Sequence, residues 1–313
     1  MKIFRKIMLV LLAIVVISSI GGYFYFNNKF TPSENYLTVL GTSGKIPFKW
    51  VFDETNPNTA LLLPVKLKGV TQIFYMQLDF GSPTTLFYSK AINSIQSQYP
   101  GAAHFKNDKK TIALEFNLGN MAISSHSFKT LNYGKTVEWK PKAVNIIGTI
   151  GTDLLEKRLI TLRFNKNYCS FTNNNRLREG TSFNFEKRRI LFPAKIGNKN
   201  LKLLYDSGTS GYELITGRKE WENYRLKKTE TKTKIENGNS WGKTLTIVTA
   251  PSNKKIVIGK LEFKLSEVTY IKGTSKIQNL LMKFSGMQGM IGNKLFLNNT
   301  IIIDCKNEKF KIE

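Results

Sequence analysis

Cysteine and histidine are scarce in this chain of 313 residues, which contains two of each. The two histidines, His104 and His126, do not form the H-E-x-x-H pattern of zinc hydrolases. So few histidines also argue against a Ser/His or Cys/His catalytic pair, and the chain has neither a G-x-S-x-G nucleophile elbow nor a phosphate-binding loop. We therefore expect no metal and no other cofactor.

The two cysteines, Cys169 and Cys305, leave two interpretations open. A disulfide between them is permitted outside the cell. Sequence spacing does not establish that their Cα atoms lie close enough for one. Two buried free thiols are the alternative.

Acidic residues are few: 22 Asp and Glu stand against 47 Lys and Arg, for a formal net charge of +25. The positive residues are dispersed, with only short clusters such as 187–189. Dispersed charge is typical of a solvated surface, and it would also attract anionic lipid or cell-wall polymer. Because the chain is expected to be exported, we do not expect nucleic acid as a partner.

Long apolar runs are lacking except for one near the N-terminus. Residues 7–26 carry no charge and follow Lys2, Arg5 and Lys6. Such a run is long enough to span a bilayer, and its positive flank should stay in the cytoplasm. No small-x-small cleavage site closes the run, so residues 1–30 are predicted to be an uncleaved signal anchor, with a cleaved signal peptide as the alternative.

The rest of the chain would then lie outside the cytoplasm, in the periplasm or at the cell surface. Its Lys- and Asn-rich composition resembles that of bacterial proteins.

Beyond the anchor, long helical patterns are scarce and strand patterns are common. Every second residue is apolar from Phe48 to Phe52 and from Ile112 to Leu118, and apolar residues predominate in 61–67 and 73–78. One short helix is expected near 91–99. The predicted fold class is therefore mostly β.

The chain contains the same series of landmarks twice. An apolar strand leads to Asp79-Phe80-Gly81-Ser82 and, later, to Asp206-Ser207-Gly208-Thr209. Each is followed by a Leu/Ile-Gly step, at 118–119 and 258–259, and then by an Ile-Gly step before a terminal hairpin, at 150–151 and 291–292. A repeat of this kind predicts two homologous lobes.

We place the lobes at 55–172 and 183–313, with a polar connector at 173–182 and a linker with a leading strand at 31–54.

This constellation resembles the pepsin-like and retropepsin-like aspartic proteases, whose motif is Asp-Thr/Ser-Gly-Thr/Ser followed later by two apolar residues and a glycine. The resemblance covers residues 55–313. It implies two acid-protease lobes, a peptide or protein substrate in the cleft between them, and hydrolysis by a water molecule shared between two carboxylates, here Asp79 and Asp206.

The resemblance also implies supporting roles for five residues. Gly81 and Gly208 let the backbone approach the carboxylates, and the hydroxyls of Ser82 and Thr209 are expected to donate to the aspartates. In the family, the residue after each aspartate contributes a hydroxyl that joins the two loops. Ser207 has one.

Phe80 has no hydroxyl, and there the first lobe departs from the motif. Two functions follow. One is an active endopeptidase with half of the usual connection between its loops. The other is a catalytically weak or inactive protein of the same fold that uses its cleft to bind a peptide or surface polymer.

The second lobe has about 14 more residues than the first between its aspartate and its later glycine, since Asp206 to Gly292 spans 86 positions and Asp79 to Gly151 spans 72. They fall near 227–251, where Asn237-Gly238 predicts a hairpin turn. Trp241 would lie near its tip, either as a flap over the aspartates or as a packing residue of an exposed edge hairpin.

Overall fold

The computed structural model describes residues 31–313 except 54–55, 107–109, 174–175, 228–231, 241–242 and 274–285, together with Gly22 and Asn28. Residues Asn35–Glu313 form one compact unit. In the described part of the chain no helix is both long and apolar enough to cross a membrane. The predicted anchor at 7–26 lies outside the described residues apart from Gly22.

The fold is mostly β, as predicted. The first twelve strands are β1 (Thr38–Leu40), β2 (Ile46–Pro47), β3 (Lys49–Val51), β4 (Ala60–Leu67), β5 (Ile73–Leu78), β6 (Leu86–Tyr88), β7 (His104–Phe105), β8 (Thr111–Leu118), β9 (Met121–Leu131), β10 (Ile146–Ile150), β11 (Leu159–Arg163) and β12 (Tyr168–Thr172).

The later strands are β13 (Thr181–Ser182), β14 (Asn184–Glu186), β15 (Arg189–Ile196), β16 (Lys199–Tyr205), β17 (Leu214–Thr216), β18 (Lys234–Ser240), β19 (Lys243–Pro251), β20 (Lys255–Ile258), β21 (Leu261–Lys264), β22 (Glu267–Lys272), β23 (Gly289–Ile291), β24 (Thr300–Asp304) and β25 (Lys309–Ile312). Two short α-helices, α1 (Ser89–Gln98) and α2 (Arg218–Tyr224), follow β6 and β17.

Two large sheets repeat one strand order. The first sheet runs β1-β9-β6-β10-β5-β4-β8-β7, with β3 on β4, and the second runs β18-β19-β22-β17-β23-β16-β15-β20-β21, with β14 on β15. The run from β9 to β8 in the first sheet therefore matches the run from β22 to β20 in the second. Even the parallel pairs coincide: β10 with β5 and β6 with β9 correspond to β23 with β16 and β17 with β22.

The third sheet is built from both halves of the chain. Its order is β13-β25-β24-β11-β12-β2, so the two terminal hairpins meet at its centre, where β11 pairs antiparallel with β24. Both hairpins lie where the sequence predicted them. We call it the shared sheet, because it ties the first half of the chain to the second.

Alternating burial explains why these segments form strands. In β8 the apolar side chains of Ile112, Leu114, Phe116 and Leu118 are buried, whereas the residues between them are partly or fully exposed. The predicted strands at 61–67 and 73–78 and the short helix near 91–99 are confirmed with bounds that differ by one or two residues.

The predicted turn at Asn237-Gly238 is wrong. Both residues lie inside β18, paired with Thr246 and Leu245 of β19. The hairpin itself is present at the edge of the second sheet, where the additional residues were expected. A strand partner outweighs the local turn preference, since seven consecutive pairs join β18 to β19.

Cys169 and Cys305 are buried free thiols, so the disulfide alternative does not hold. Cys169 lies in β12, opposite Leu162 of β11. Cys305 follows β24 and donates its main-chain N–H to the carbonyl of Arg158, at the other end of β11. The register of the shared sheet therefore keeps the two thiols apart.

Candidate active site

Each predicted catalytic aspartate follows a central strand of one large sheet. Asp79 follows β5 and donates its main-chain N–H to Ile150 O at 3.0 Å, and Asp206 follows β16 and donates to Ile291 O at 3.0 Å. In both loops the second residue after the aspartate closes the turn: Gly81 N and Gly208 N lie 2.9 Å from Oδ1 of their own aspartates. The two loops thus have matching local structure.

The shared sheet and the repeated topology bring the two loops face to face. A Cβ atom added to Gly81 would lie 2.6 Å from Oδ1 of Asp206, and one added to Gly208 would lie 2.5 Å from Oδ1 of Asp79. Each glycine therefore borders the carboxylate of the opposite loop, where no side chain fits. Asp79 and Asp206 are each 8% exposed and hydrogen-bond to each other through their side chains.

Burial and mutual repulsion raise the pKa of Asp79 well above its usual range. Burial is the largest cause, followed by the charge of Asp206 and the hydrogen bond to it, while the N–H groups of Gly81 and Ser82 oppose the shift. Burial also raises the pKa of Asp206, but the N–H groups of Gly208, Gly81 and Thr209 and the bond from Asp79 counter it. The pKa of each carboxyl is therefore raised by its burial, and the two groups titrate as a coupled pair.

Ser207 joins the two loops. Its Oγ accepts a hydrogen bond from Phe80 N at 2.9 Å and donates to Leu78 O at 2.9 Å. We call this pair of bonds the Ser207 bridge. It is the half of the connection that the sequence predicted to survive.

Phe80 does not occupy the space between the carboxylates. Its ring is 1% exposed and packs edge-on against Tyr205, with the ring centroids 5.4 Å apart. The departure from the motif therefore replaces a polar contact between the loops with an aromatic one.

The hydroxyls of Ser82 and Thr209 do not reach the carboxylates, contrary to expectation. Ser82 Oγ donates to Thr84 O at 2.8 Å, and Thr209 Oγ1 donates to the main-chain carbonyl of Asp206 at 2.9 Å. Their main-chain N–H groups donate to the main-chain carbonyls of Asp79 and Asp206, each at 3.2 Å. Both residues still support the site, because they fix the loop backbone.

The later glycines also have matching surroundings. Gly151 and Gly292 each precede a turn of 3₁₀-helix, at Thr152–Leu155 and Asn293–Phe296. Their backbone angles are nearly equal, with φ of −93° and −97° and ψ of −179° at both. The other landmark pair, Gly119 and Gly259, has φ of +58° and +63° in the turns β8–β9 and β20–β21.

Sequence reasoning missed Arg188, which links the second sheet to the first loop. It lies in the turn between β14 and β15, with its Nε 2.6 Å from Oε1 of Glu156 and its Nη1 3.3 Å from Pro83 O. Its own carbonyl accepts from Thr152 Oγ1 at 2.6 Å. No motif marks this residue, although two successive residues with positive φ, Lys187 and Arg188, show that the turn is tightly specified.

A chain of buried polar side chains behind Asp206 was also missed. Tyr205 Oη donates to Asn293 Oδ1 at 2.7 Å, Asn293 Nδ2 donates to Ser210 Oγ at 2.6 Å, and Ser210 Oγ donates to Ser207 O at 2.7 Å. We call this the Tyr205 chain. The polar Asn293 directly after Gly292 was the one signal available in the sequence.

The candidate flap residue Trp241 lies outside the described residues. Within the described ranges, no three His, Cys, Asp or Glu side chains are grouped so that they could hold a metal ion. No protein-family model matches the chain, and no curated protein is significantly similar to it.

Proposed function

We propose that the protein is an aspartic endopeptidase with the two-lobed pepsin-like fold, which hydrolyses peptide bonds with a water molecule held between Asp79 and Asp206. The main support is that two buried carboxylates hydrogen-bond to each other at the ends of equivalent strands, in two sheets that have the same strand order. The repeated strand order supports the two-lobed fold.

The electrostatics support distinct roles for the two carboxylates. The N–H groups of Gly208 and Gly81, one from each loop, lower the pKa of Asp206 against its burial, so we assign it as the ionised member. It takes a proton from the water as the oxygen attacks the peptide carbonyl carbon. Asp79 holds the shared proton and donates it to the carbonyl oxygen. The tetrahedral diol then collapses: the proton on Asp206 passes to the amide nitrogen, a diol hydroxyl returns a proton to Asp79, and the C–N bond breaks.

The proposed substrate is a peptide or protein segment lying in the cleft between the two lobes. Gly81 and Gly208 border the carboxylates from opposite sides, so a substrate backbone approaches without meeting a side chain there. With residues 7–26 as a membrane anchor, the catalytic part acts outside the cytoplasm of a bacterial cell.

A binding protein of the same fold without turnover is the second candidate, and the missing hydroxyl at Phe80 is the observation that favours it. The packing of Phe80 against Tyr205 instead favours the enzyme, because its ring is buried and leaves the two carboxylates in contact with each other. The retained Ser207 bridge also favours the enzyme, because it still joins the two aspartate loops.

Cleavage of an unfolded protein by the full-length chain tests the proposal. The reaction is followed from about pH 3 to 7.5, the range in which a coupled carboxylate pair titrates, in the wild type and in Asp79→Asn and Asp206→Asn. Asp304→Asn is the matched control, since Asp304 is also buried but bonds to Leu177 and Asn307. We expect cleavage by the wild type and the control only.

Two outcomes would overturn the proposal. One is the absence of cleavage at every pH by wild-type protein that circular dichroism shows to be folded. The other is cleavage that persists in both dyad variants, which would place the reaction elsewhere or in a contaminant.

A further inference from the structure

The two active-site loops are supported by different residues, although their backbones match. In the second loop the Tyr205 chain runs from the strand before Asp206 to the main chain of Ser207, directly after it. The residues that correspond to Tyr205 and Ser210 in the first loop are Leu78 and Pro83, and neither side chain has a polar hydrogen.

The Tyr205 chain is fully buried and continuous. Tyr205, Asn293, Ser210 and Ser207 are each 0% exposed. Every link is between 2.6 and 2.7 Å, and each donor has one defined acceptor. A satisfied buried network of this kind fixes one backbone position, because any movement would leave a polar group without a partner.

The ring of Tyr205 contacts the residue that lost its hydroxyl. Phe80 packs edge-on against it, and Phe192 stacks on it with centroids 5.4 Å apart and planes 15° apart. Tyr205 thus contacts the first loop through its ring, and its hydroxyl is linked to the second loop through Asn293. The Phe80 side chain by itself offers the second loop no hydrogen bond.

We propose that Tyr205 is a positioning residue that replaces the hydroxyl absent at Phe80, holding Ser207 and Asp206 in register with Asp79 through the Tyr205 chain and the contact with Phe80. This role rests on the proposed function. Tyr205 acts through Ser207 and Ser210 and touches no substrate.

Tyr205→Phe tests the proposal, because it removes the first link of the chain and keeps the ring. Tyr224→Phe is the control: Tyr224 is 8% exposed in α2, and the charges that act on the pKa of its hydroxyl are those of Lys199 and Glu220 rather than of either aspartate. We expect kcat/KM of Tyr205→Phe to fall about tenfold with little change in KM, as for an interaction made in the transition state. We expect Tyr224→Phe to cleave like the wild type.

The pH profile distinguishes positioning from a general loss of stability. Loosening the second loop weakens the N–H bonds to Asp206, so the pKa of Asp206 should rise. The acid limb of the profile of kcat/KM against pH should then move to higher pH by about half a unit. Ser210→Ala breaks the same chain at another link. It should produce the same shift, and the double variant should show no further loss, because residues that act as one unit are not additive.

A second readout does not need turnover. The pH dependence of the unfolding midpoint reports the titration of the dyad in each variant, with Asp206→Asn as the reference that lacks it. If this dependence moves in Tyr205→Phe but the wild type cleaves nothing, the positioning role stands and the proposed function fails. If the wild type cleaves and Tyr205→Phe matches Tyr224→Phe in both readouts, the positioning role fails alone.

Discussion

Ser207 Oγ lies 2.9 Å from the main-chain nitrogen of Phe80 and joins the loop of one aspartate to the loop of the other. The same oxygen donates to Leu78 O, so a single side chain satisfies two buried backbone groups of the opposite loop. In a symmetric pair of loops, a hydroxyl at position 80 would make the equivalent hydrogen bonds to the second loop. Here residue 80 is a phenylalanine, and its ring packs on Tyr205 instead.

Ser207→Ala should therefore destabilise the protein and reduce activity together. It leaves the N–H of Phe80 and the carbonyl of Leu78 without this partner in a buried site, at a cost of about 2 kcal/mol. Urea denaturation gives the free energy of unfolding, and the cleavage assay gives kcat/KM. Ser97→Ala is the control, since Ser97 is exposed on α1 and its hydroxyl bonds to Asn93 O within its own helix. Equal stability of the two variants would show that the Ser207 bridge contributes nothing.

Gly208→Ala should abolish most activity by displacing a carboxylate. The new methyl group would lie 2.5 Å from Oδ1 of Asp79, so either the loop or the carboxylate must move by about 1 Å, and such a displacement costs on the order of a hundredfold in rate. Gly101→Ala is the control, because nothing lies within 4 Å of a Cβ atom there. Full activity in Gly208→Ala would contradict the opposed arrangement of the two loops.

Asp79→Asn should stabilise the protein at neutral pH and not at acid pH. The pKa of Asp79 is raised by burial and by Asp206, so the folded state keeps a proton that the unfolded chain releases near pH 4. The wild type therefore loses stability as pH rises from about 4 through the raised pKa, by about 1.4 kcal/mol per pH unit in that window. Asparagine keeps an acceptor for Gly81 N and has no proton to lose.

Thermal unfolding of both proteins from about pH 4 to 8 checks this sign, since the window opens at the ordinary aspartate pKa of about 3.9. The gap between the two midpoints should widen with pH and then level off. Glu262→Gln is the comparison, because Glu262 is exposed and pairs with Lys255 at the surface. A gap that stays constant across the range would mean that Asp79 titrates at its ordinary pKa.

The sequence predicted those parts of the fold and site that local pattern encodes. The alternation at 112–118, the paired Asp-x-Gly loops and the terminal hairpins each depend on residues within one short segment, and all were found. The Asn237-Gly238 turn failed because pairing with β19 decides the conformation of β18. That pairing is not visible in a dipeptide.

Residues that act across the repeat could not be predicted from pattern. Arg188 contacts Pro83, 105 residues earlier in the chain, and Tyr205 contacts Asn293, 88 residues later. The expected roles of the Ser82 and Thr209 hydroxyls failed for a related reason, since each found an acceptor nearer than the carboxylate. Which acceptor a hydroxyl takes depends on loop geometry finer than any sequence motif.

Arg188→Asn should weaken the support of the first loop and lower both stability and activity. Arg188 has φ of +60°, a conformation that asparagine tolerates well, so the change removes the guanidinium without adding backbone strain. The ion pair with Glu156 joins side chains that are 7% and 33% exposed. Because Glu156 is partly solvated, the expected loss is about 1–3 kcal/mol, below that of a fully buried pair.

Lys157→Asn is the matched control for this prediction. It removes the same charge at a similar backbone angle, φ of +63°, from an exposed site. Urea denaturation should give Arg188→Asn a lower free energy of unfolding than the control. Its kcat/KM should fall about tenfold, since Pro83 follows Asp79 by four residues and a small shift of that loop misaligns the two carboxylates. If Arg188→Asn and Lys157→Asn were alike in both measurements, the contact of the second sheet with the first loop would have no part in holding Asp79.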